Sequence, residues 1–283
     1  MAKDTVFRKK AIINAGGRLM DLSIPQVMGI INLTPDSFFA DSRKPALADA
    51  LQQAGQMLAD GATMLDLGAY SSRPGAVDIP VQEETDRLLP VVEAIVETYP
   101  NATLSIDTFR STVAEAAINA GAHIINDIGG GMLDADIFAT VARLQVPYIL
   151  MHMKGTPQTM VQQAQYTDVF SEVFDYMAGR YELLRSMGVH DVILDPGFGF
   201  AKTAEHSYAL MNRLEEFNRL QLPILVGISR KRMIYGLLGT TDAEALNGTT
   251  VLNTIALTKG ANILRVHDVK EAVEAVKLWQ QFD

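Results

Sequence analysis

Cysteine is absent from the 283 residues. That removes disulfides, thiolate nucleophiles, cysteine redox chemistry and Cys-ligated zinc or iron–sulfur centres. No apolar run approaches the roughly 18 to 20 residues that cross a bilayer. The first residues, "MAKDTVFRKKAIINAGG", hold no apolar stretch of about 7 to 15 residues before a small-residue cleavage site, so a cytoplasmic protein is expected. Basic runs are no longer than "RKK" or "RKR", and 24 basic against 33 acidic residues give a net charge of −9. A nucleic-acid surface is therefore not expected, and an anionic ligand needs a local cationic pocket. No histidine pair has zinc-ligand spacing. His123 and His152 read as satisfied core or rim residues, and His190 and His206 as surface positions.

A repeated unit is present instead. "GATMLDLGA" from Gly61, "GAHIINDIGG" from Gly121 and "GANILRVHD" from Gly260 each place a glycine after a helix-like stretch and before a short apolar run ending in polar residues. Such a glycine closes a helix in the left-handed conformation, and an apolar run without alternation suits a strand buried on both faces. The same unit recurs through "VMGIIN", "TMLDLG", "TLSID", "HIIND", "YILMHM", "VILDPG", "ILVGIS" and "ILRVH". Helical periodicity separates them, as in "ALADALQQAGQMLAD" and "DVKEAVEAVKLWQQF". Eight alternating units predict an α/β fold, a (β/α)₈ barrel, over one domain of residues 1–283. Two β-like runs around Ala15-Gly16-Gly17 predict an N-terminal hairpin within residues 1–24 that covers the barrel bottom. A doubly wound open sheet is the alternative, but it needs fewer strands and usually a Gly-rich first turn, absent after Asn32.

In a barrel the C-terminal strand ends converge where barrel enzymes place their sites. Those ends carry Asn32, Asp66, Asp107, Asn126 with Asp127, His152, Asp195, Ser229 with Lys231, and Arg265 with His267. A polar ring of this kind is costly to desolvate unless a ligand or a partner satisfies it. Asp66 and Asp127 read equally as caps or as site residues, whereas Asp107 and Asp195 read as site. Asp195 sits in "LDPGFGFAK", whose glycines and proline would hold a carboxylate at the rim. In "SRKR" the basic residues oppose the dipole of the helix they open, which points to a functional Lys231. Arg265 and His267 lie two apart on the last strand, on one face, and could grip an anion. Met151 and Met153 read as core. The segments after Asn32 and through "GAYSSRPGAVDIP" exceed the about 2 to 6 residues of an ordinary βα loop, which suggests lids or binding loops.

With "MGIINLTPDSF", "SSRPGA", "SIDT", "HIINDI", "LMHMKGTPQTM", "LDPGFGFAK", "VGISRK" and "RVHDV" in order from about residue 25 to the end, the chain resembles the dihydropteroate synthases, a family of pterin-binding barrels and sulfonamide targets. The resemblance implies a homodimer that joins 6-hydroxymethyl-7,8-dihydropterin pyrophosphate to p-aminobenzoate by Mg²⁺-assisted displacement. It implies Asp195, Asn126, Asp107 and Lys231 on the pterin, with Met151 and Phe200 completing the substrate-binding set. It implies Arg265, His267, Asn32 and Ser72 on the pyrophosphate, Asn32 also binding the Mg²⁺, and Phe38, Arg73 and Pro74 closing over p-aminobenzoate. The catalytic set expected is Lys231, Asp107, Arg73, Arg265 and His267. Three positions depart from the family pattern: the first-loop carboxylate falls on Ala40 or, shifted by one, Asp41; Tyr70 replaces a glutamate; and Arg232 replaces a serine. A related barrel that transfers a methyl group from methyltetrahydrofolate would keep Asp107, Asn126 and Asp195 without the pyrophosphate set. A pterin-binding relative without turnover would be expected to lack the lysine or an anion-gripping residue.

Overall fold

The structure, a computed structural model, describes residues 11–33, 43–73 and 75–282, with the backbone alone at 43–46. β1 (Ile12–Ala15) and β2 (Arg18–Asp21) pair antiparallel across a Gly16–Gly17 turn, as expected. Parallel strands follow: β3 (Gln26–Asn32), β4 (Met64–Gly68), β5 (Thr103–Asp107), β6 (Ile124–Asp127), β7 (Tyr148–Met151), β8 (Val192–Asp195), β9 (Leu225–Val226) and β10 (Ile263–Val266). They form an eight-stranded sheet in the order β8-β7-β6-β5-β4-β3-β10-β9. A Leu194–Ile224 bridge, with Leu194 N donating to Pro223 O at 2.8 Å, joins its two ends into a barrel.

Among the described residues the surrounding helices are α1 (Arg43–Ala59), α2 (Val81–Thr98), α3 (Ser111–Asn119), α4 (Ile137–Leu144), α5 (Val169–Ser186), α6 (Ala204–Asn212), α7 (Arg232–Leu238), α8 (Leu246–Thr258) and α9 (Val269–Trp279). The repeat read in the sequence has the conformation it requires, since Gly61, Gly121 and Gly260 have φ of 102°, 105° and 90°. A side chain there would strain the turn that drops each helix into its strand. None of these helices is long and apolar enough to cross a membrane.

Successive strand residues point to opposite faces, and here that rule sorts core from site. Leu65, Leu67, Leu104, Ile106, Ile125, Leu150, Leu194, Leu264 and Val266 pack outward against the helices. Residues of the other parity, Met28, Met64, Ile124, Ile149, Ile193, Leu225 and Ile263, fill the barrel floor together with Ile13, Ala15 and Leu22 of the hairpin segment. The hairpin is thus a plug. Asn262 fastens it, donating to Leu22 O at 2.8 Å while its own Oδ1 accepts from Ile224 N at 3.0 Å. With the floor sealed by apolar side chains, the next inward residue of each strand, two positions on, faces the C-terminal mouth.

Candidate functional site

Two residues beyond Met64, Ile124, Ile149, Ile193 and Ile263 stand Asp66, Asn126, Met151, Asp195 and Arg265; Asp107 ends β5 on the same face. Strand parity alone therefore carries most of the expected ring into the barrel. Arg265 is the hub. Its Nε donates to Asp66 Oδ2 at 2.6 Å and its Nη2 to Asp107 Oδ2 at 2.8 Å, while Asn126 Nδ2 donates to the same Asp66 Oδ2 at 2.9 Å. The carboxylate of Asp66 has no solvent exposure, and the Arg265 side chain has 18%. Asp66 Oδ1 and Ser105 Oγ, on register partners of β4 and β5, have no hydrogen-bond partner among the described residues.

Burial pushes Asp107 up to about 7 against the attraction of Arg265, with the charges of Asp66, Glu84 and Asp127 adding to the rise. Asp195 is also raised by burial, which Lys231 and a Gly197 N–H bond at 2.7 Å offset. Lys231 falls to about 8 because it is buried, despite the nearby Asp195. Its Nζ donates to Phe198 O at 2.5 Å and lies 4.6 Å from the Phe200 ring centre. Burial opposes the charge of Arg265, but Asp66 and Asp107 outweigh it and raise its pKa. The mouth therefore sets two carboxyls that resist ionisation beside two cations, one held firmly charged and one poised near neutrality.

Met151 of this layer joins Ile128, Met153, Met160 and Ala201, with Phe109, Leu133 and Phe200 against them, in an apolar wall. Flat apolar wall, buried acceptors and one ammonium suit a planar heterocycle that carries N–H donors. At the rim, Ser229 Oγ accepts from His267 N at 3.2 Å and meets His267 Nδ1 at 3.0 Å, which places His267 one inward step above Arg265.

A model of pterin binding enzymes matches residues 28–267. Dihydropteroate synthase of Escherichia coli K12 is 44% identical over 266 residues, covering 93% of this chain and 94% of that protein. The chain belongs to the dihydropteroate synthase family. A Yersinia pestis dihydropteroate synthase solved with a sulfonamide drug superposes with a TM-score of 0.90 at 40% identity, over 96% of this chain and 98% of that one. The Xanthomonas albilineans enzyme in complex with 7,8-dihydropteroate gives 0.86 at 34% identity, with the same coverage. A (β/α)₈ fold and an enzyme of this type follow.

Within this barrel, Asn32 sits half-buried at the end of β3 beside Gly68. Ser72 is half-buried and Arg73 exposed on the second long loop, and among the described hydrogen bonds none joins the Arg73 side chain to the ring. That loop is tied to the loop after β7: Gly75 N donates to Pro157 O at 3.3 Å, and Gln158 Nε2 donates to Tyr70 Oη and Ala76 O, both at 3.0 Å. Tyr70, the departure from the family's glutamate, is buried edge-on against Phe109. Arg232 is exposed at the start of α7, and nothing in the structure explains the exchange for serine there. Phe38, Pro74, Ala40 and Asp41 lie outside the described residues.

Asp127, weighed equally as cap and site, is a cap. It follows inward-facing Asn126 and so points outward, accepting from Gly129 N, Gly131 N and the Tyr148 hydroxyl. Asp66, weighed the same way, faces inward and belongs to the ring. "ILVGIS" was expected to be a full strand, yet β9 covers only Leu225–Val226. Beyond it the chain turns away to present Ser229 and a left-handed Arg230, which pairs with Asp268 at 2.7 and 2.9 Å.

Sequence reasoning passed over Lys202, although "PGFGFAK" places it as a lone charge in an apolar, glycine-rich loop. Its buried Nζ donates to His152 O, Gly197 O and Phe200 O at 3.0 to 3.1 Å and lies 2.9 Å from His152 Nδ1. Three carbonyls around one ammonium lock the loop that carries Asp195 and Phe200 onto β7. Gly197, at φ 71°, leaves no room for a side chain, because a Cβ would come 2.2 Å from His152 O. The same burial lowers His152 to about 2, the nearby Lys202 and Lys154 charges adding to it. His152 is thus a satisfied core residue, as expected, and so is His123, whose Nδ1 accepts from Leu104 N at 3.0 Å. His190 is exposed, while half-buried His206 closes a capping box with Thr203.

Proposed function

We infer that this chain condenses 6-hydroxymethyl-7,8-dihydropterin pyrophosphate with p-aminobenzoate, giving 7,8-dihydropteroate and pyrophosphate. The observation that carries this reading is the meeting of Asp195, Asn126 and Lys231 with Arg265 and His267 at one barrel mouth, in a chain of this family. The first three match a pterin ring, which offers N–H donors to the carboxylate and amide oxygens and acceptors to the ammonium. Arg265 of β10 and His267 just beyond it match the pyrophosphate, with Asn32 and Ser72 across the rim. Binding of inorganic pyrophosphate beside a pterin supports this; binding of methyltetrahydrofolate with no affinity for pyrophosphate would point instead to a methyl-transfer barrel.

Displacement occurs at the pterin methylene carbon. Its bond to the pyrophosphate oxygen breaks and the electron pair leaves with that oxygen; positive charge on the carbon spreads into the dihydropterin. The arylamine nitrogen of p-aminobenzoate forms the new bond and loses a proton. The barrel stabilises the leaving charge through the fixed guanidinium of Arg265 and through His267, and the buried Asp107 and Asp195 favour the electron-poor ring, with no covalent enzyme intermediate. Arg73, exposed on the second long loop, meets p-aminobenzoate. Among the described residues no group of three or more carboxylates and histidines could cage a metal. Asn32 would hold a Mg²⁺ together with the pyrophosphate, and the metal would neutralise leaving-group charge.

The ring predicts a narrow pH profile. Asp107 must be ionised to accept from the pterin edge, and Lys231 must be protonated to donate. The pKa of Asp107 near 7 and of Lys231 near 8 therefore give kcat/KM a bell with its two limbs close together. Rates from about pH 5.5 to 9.5 check this: Lys231→Arg should lose the alkaline limb, and an unchanged limb would refute its assignment. The protein is further read as a homodimer, because α8 and α9 and the segment after them expose Val251, Ile255, Leu278 and Phe282. A monomer in sedimentation would contradict that.

A further inference from the structure

Asp66 is the one member of the ring that a ligand entering from the mouth cannot touch. It lies at the centre of β4 with no exposure, one inward layer above the floor. Its neighbours in the sheet are β3 and β5, yet its Oδ2 accepts from Asn126 of β6 and from Arg265 of β10, each two strands away on opposite sides. One oxygen atom therefore ties the two halves of the mouth together.

The chemistry of that tie dictates what the tied groups show to a ligand. An ionised carboxylate only accepts, so the Asn126 amide must turn Nδ2 toward it and Oδ1 away. Arg265 is held at Nε by Asp66 and at Nη2 by Asp107, which fixes the plane of its guanidinium before any anion arrives. We propose that Asp66 is a positioning residue that makes Asn126 an acceptor toward the pterin and sets the Arg265 fork for the pyrophosphate. The proposal deepens the function inferred above and rests on it for the identity of the two ligands. The competing view, that Asp66 serves only to neutralise Arg265, assigns it no effect through Asn126.

A double-mutant cycle separates the two. Asp66→Asn gives residue 66 its own N–H donors, so Asn126 can turn over; both it and Asn126→Ala should weaken binding of 6-hydroxymethylpterin by about tenfold or more in calorimetry. In the double variant the second change should add less than about twofold, because both act through one amide. Independent, additive losses would overturn the proposal. If Asp66→Asn fails to fold, Asp66→Glu keeps the charge beside Arg265 while displacing the oxygens, and serves the same cycle.

A ligand-free readout stands apart from the functional reading. In the wild-type protein one side-chain N–H of Asn126 should show the downfield NMR shift of a bond to carboxylate, lost in folded Asp66→Asn. An Asn126 amide signal indifferent to Asp66 would overturn the positioning claim whatever binds. Should neither 6-hydroxymethylpterin nor inorganic pyrophosphate bind the wild-type protein while the amide signal responds to Asp66, the functional reading falls and the positioning stands.

Discussion

Arg265→Ala should lose both catalysis and stability. In turnover it removes the guanidinium that meets the departing pyrophosphate, and loss of one preorganised group of this kind costs about 10² to 10³ in kcat. In the folded protein it strips the cation from Asp66, a carboxylate with no solvent exposure, and from Asp107 beside it. Breaking a buried pair from one side costs about 3 to 5 kcal/mol, a large part of the roughly 5 to 15 kcal/mol that keeps a domain folded. The deficit should shrink on acidification. Without Arg265 the pKa of Asp107, already pushed up to about 7 by burial, rises further above its unfolded value, so the folded variant binds more protons than the unfolded chain. Its stability relative to wild type then rises as pH falls through that window. Urea unfolding of Arg265→Ala near pH 7.5 and near pH 5.5 measures this, and a pH-independent deficit would contradict it. Pairing Arg265→Met with Asp66→Leu should recover part of the stability and none of the activity, since the Asp66 charge leaves with its partner while Asp107 still loses its cation. Arg265→Lys should not rescue turnover, because a single ammonium cannot hold Asp66 and Asp107 at Nε and Nη2 and still face an anion.

Asp195→Asn should separate the two effects. The amide oxygen can still accept from Gly197 N, now at 2.7 Å, so the loop stays closed. Burial raises the pKa of Asp195, and the sign of the linkage follows: the folded state binds a proton more tightly than the unfolded chain does. The ionised group thus costs stability that grows as pH rises above the unfolded carboxylate range. Replacing it with a neutral isostere should leave stability unchanged or raise it. Binding should suffer, because the amide sets a donor against ring N–H donors and removes two charge-assisted bonds of about 1.5 to 3 kcal/mol each. A rise in KM for the pterin substrate of more than about 100-fold is expected, with unfolding by urea no easier than in wild type. Equal loss of stability and binding would mean that Asp195 is structural. Stability kept in reserve at Arg265 and spent at Asp195 is the pattern expected where a site is organised for a ligand.

Much of this was legible beforehand, and the reason is the glycine-strand unit. Each strand is a short apolar run entered through a left-handed glycine, so eight strand ends can be counted and their polar residues named from the sequence. The hairpin plug follows from Gly16–Gly17 between two β-like runs. What a doubly buried strand hides is which parity points inward, because both faces are apolar. Asp66 and Asp127 were indistinguishable for that reason, although Asn126, if inward, already forces Asp127 outward. Lys202 is not legible in the sequence because its partners are backbone carbonyls, which any sequence supplies. The convergence of Asn126 and Arg265 on one oxygen of Asp66 depends on barrel closure, which places strands far apart in sequence within reach of one side chain. Phe38 and Pro74 rest on resemblance alone.

The most direct test of the central claim is a turnover assay of the purified protein with 6-hydroxymethyl-7,8-dihydropterin pyrophosphate, p-aminobenzoate and Mg²⁺, with and without chelator, following dihydropteroate and pyrophosphate together. Both products, in equal amounts and dependent on Mg²⁺, are expected. A folded protein that binds the pterin substrate yet forms neither product would contradict the claim.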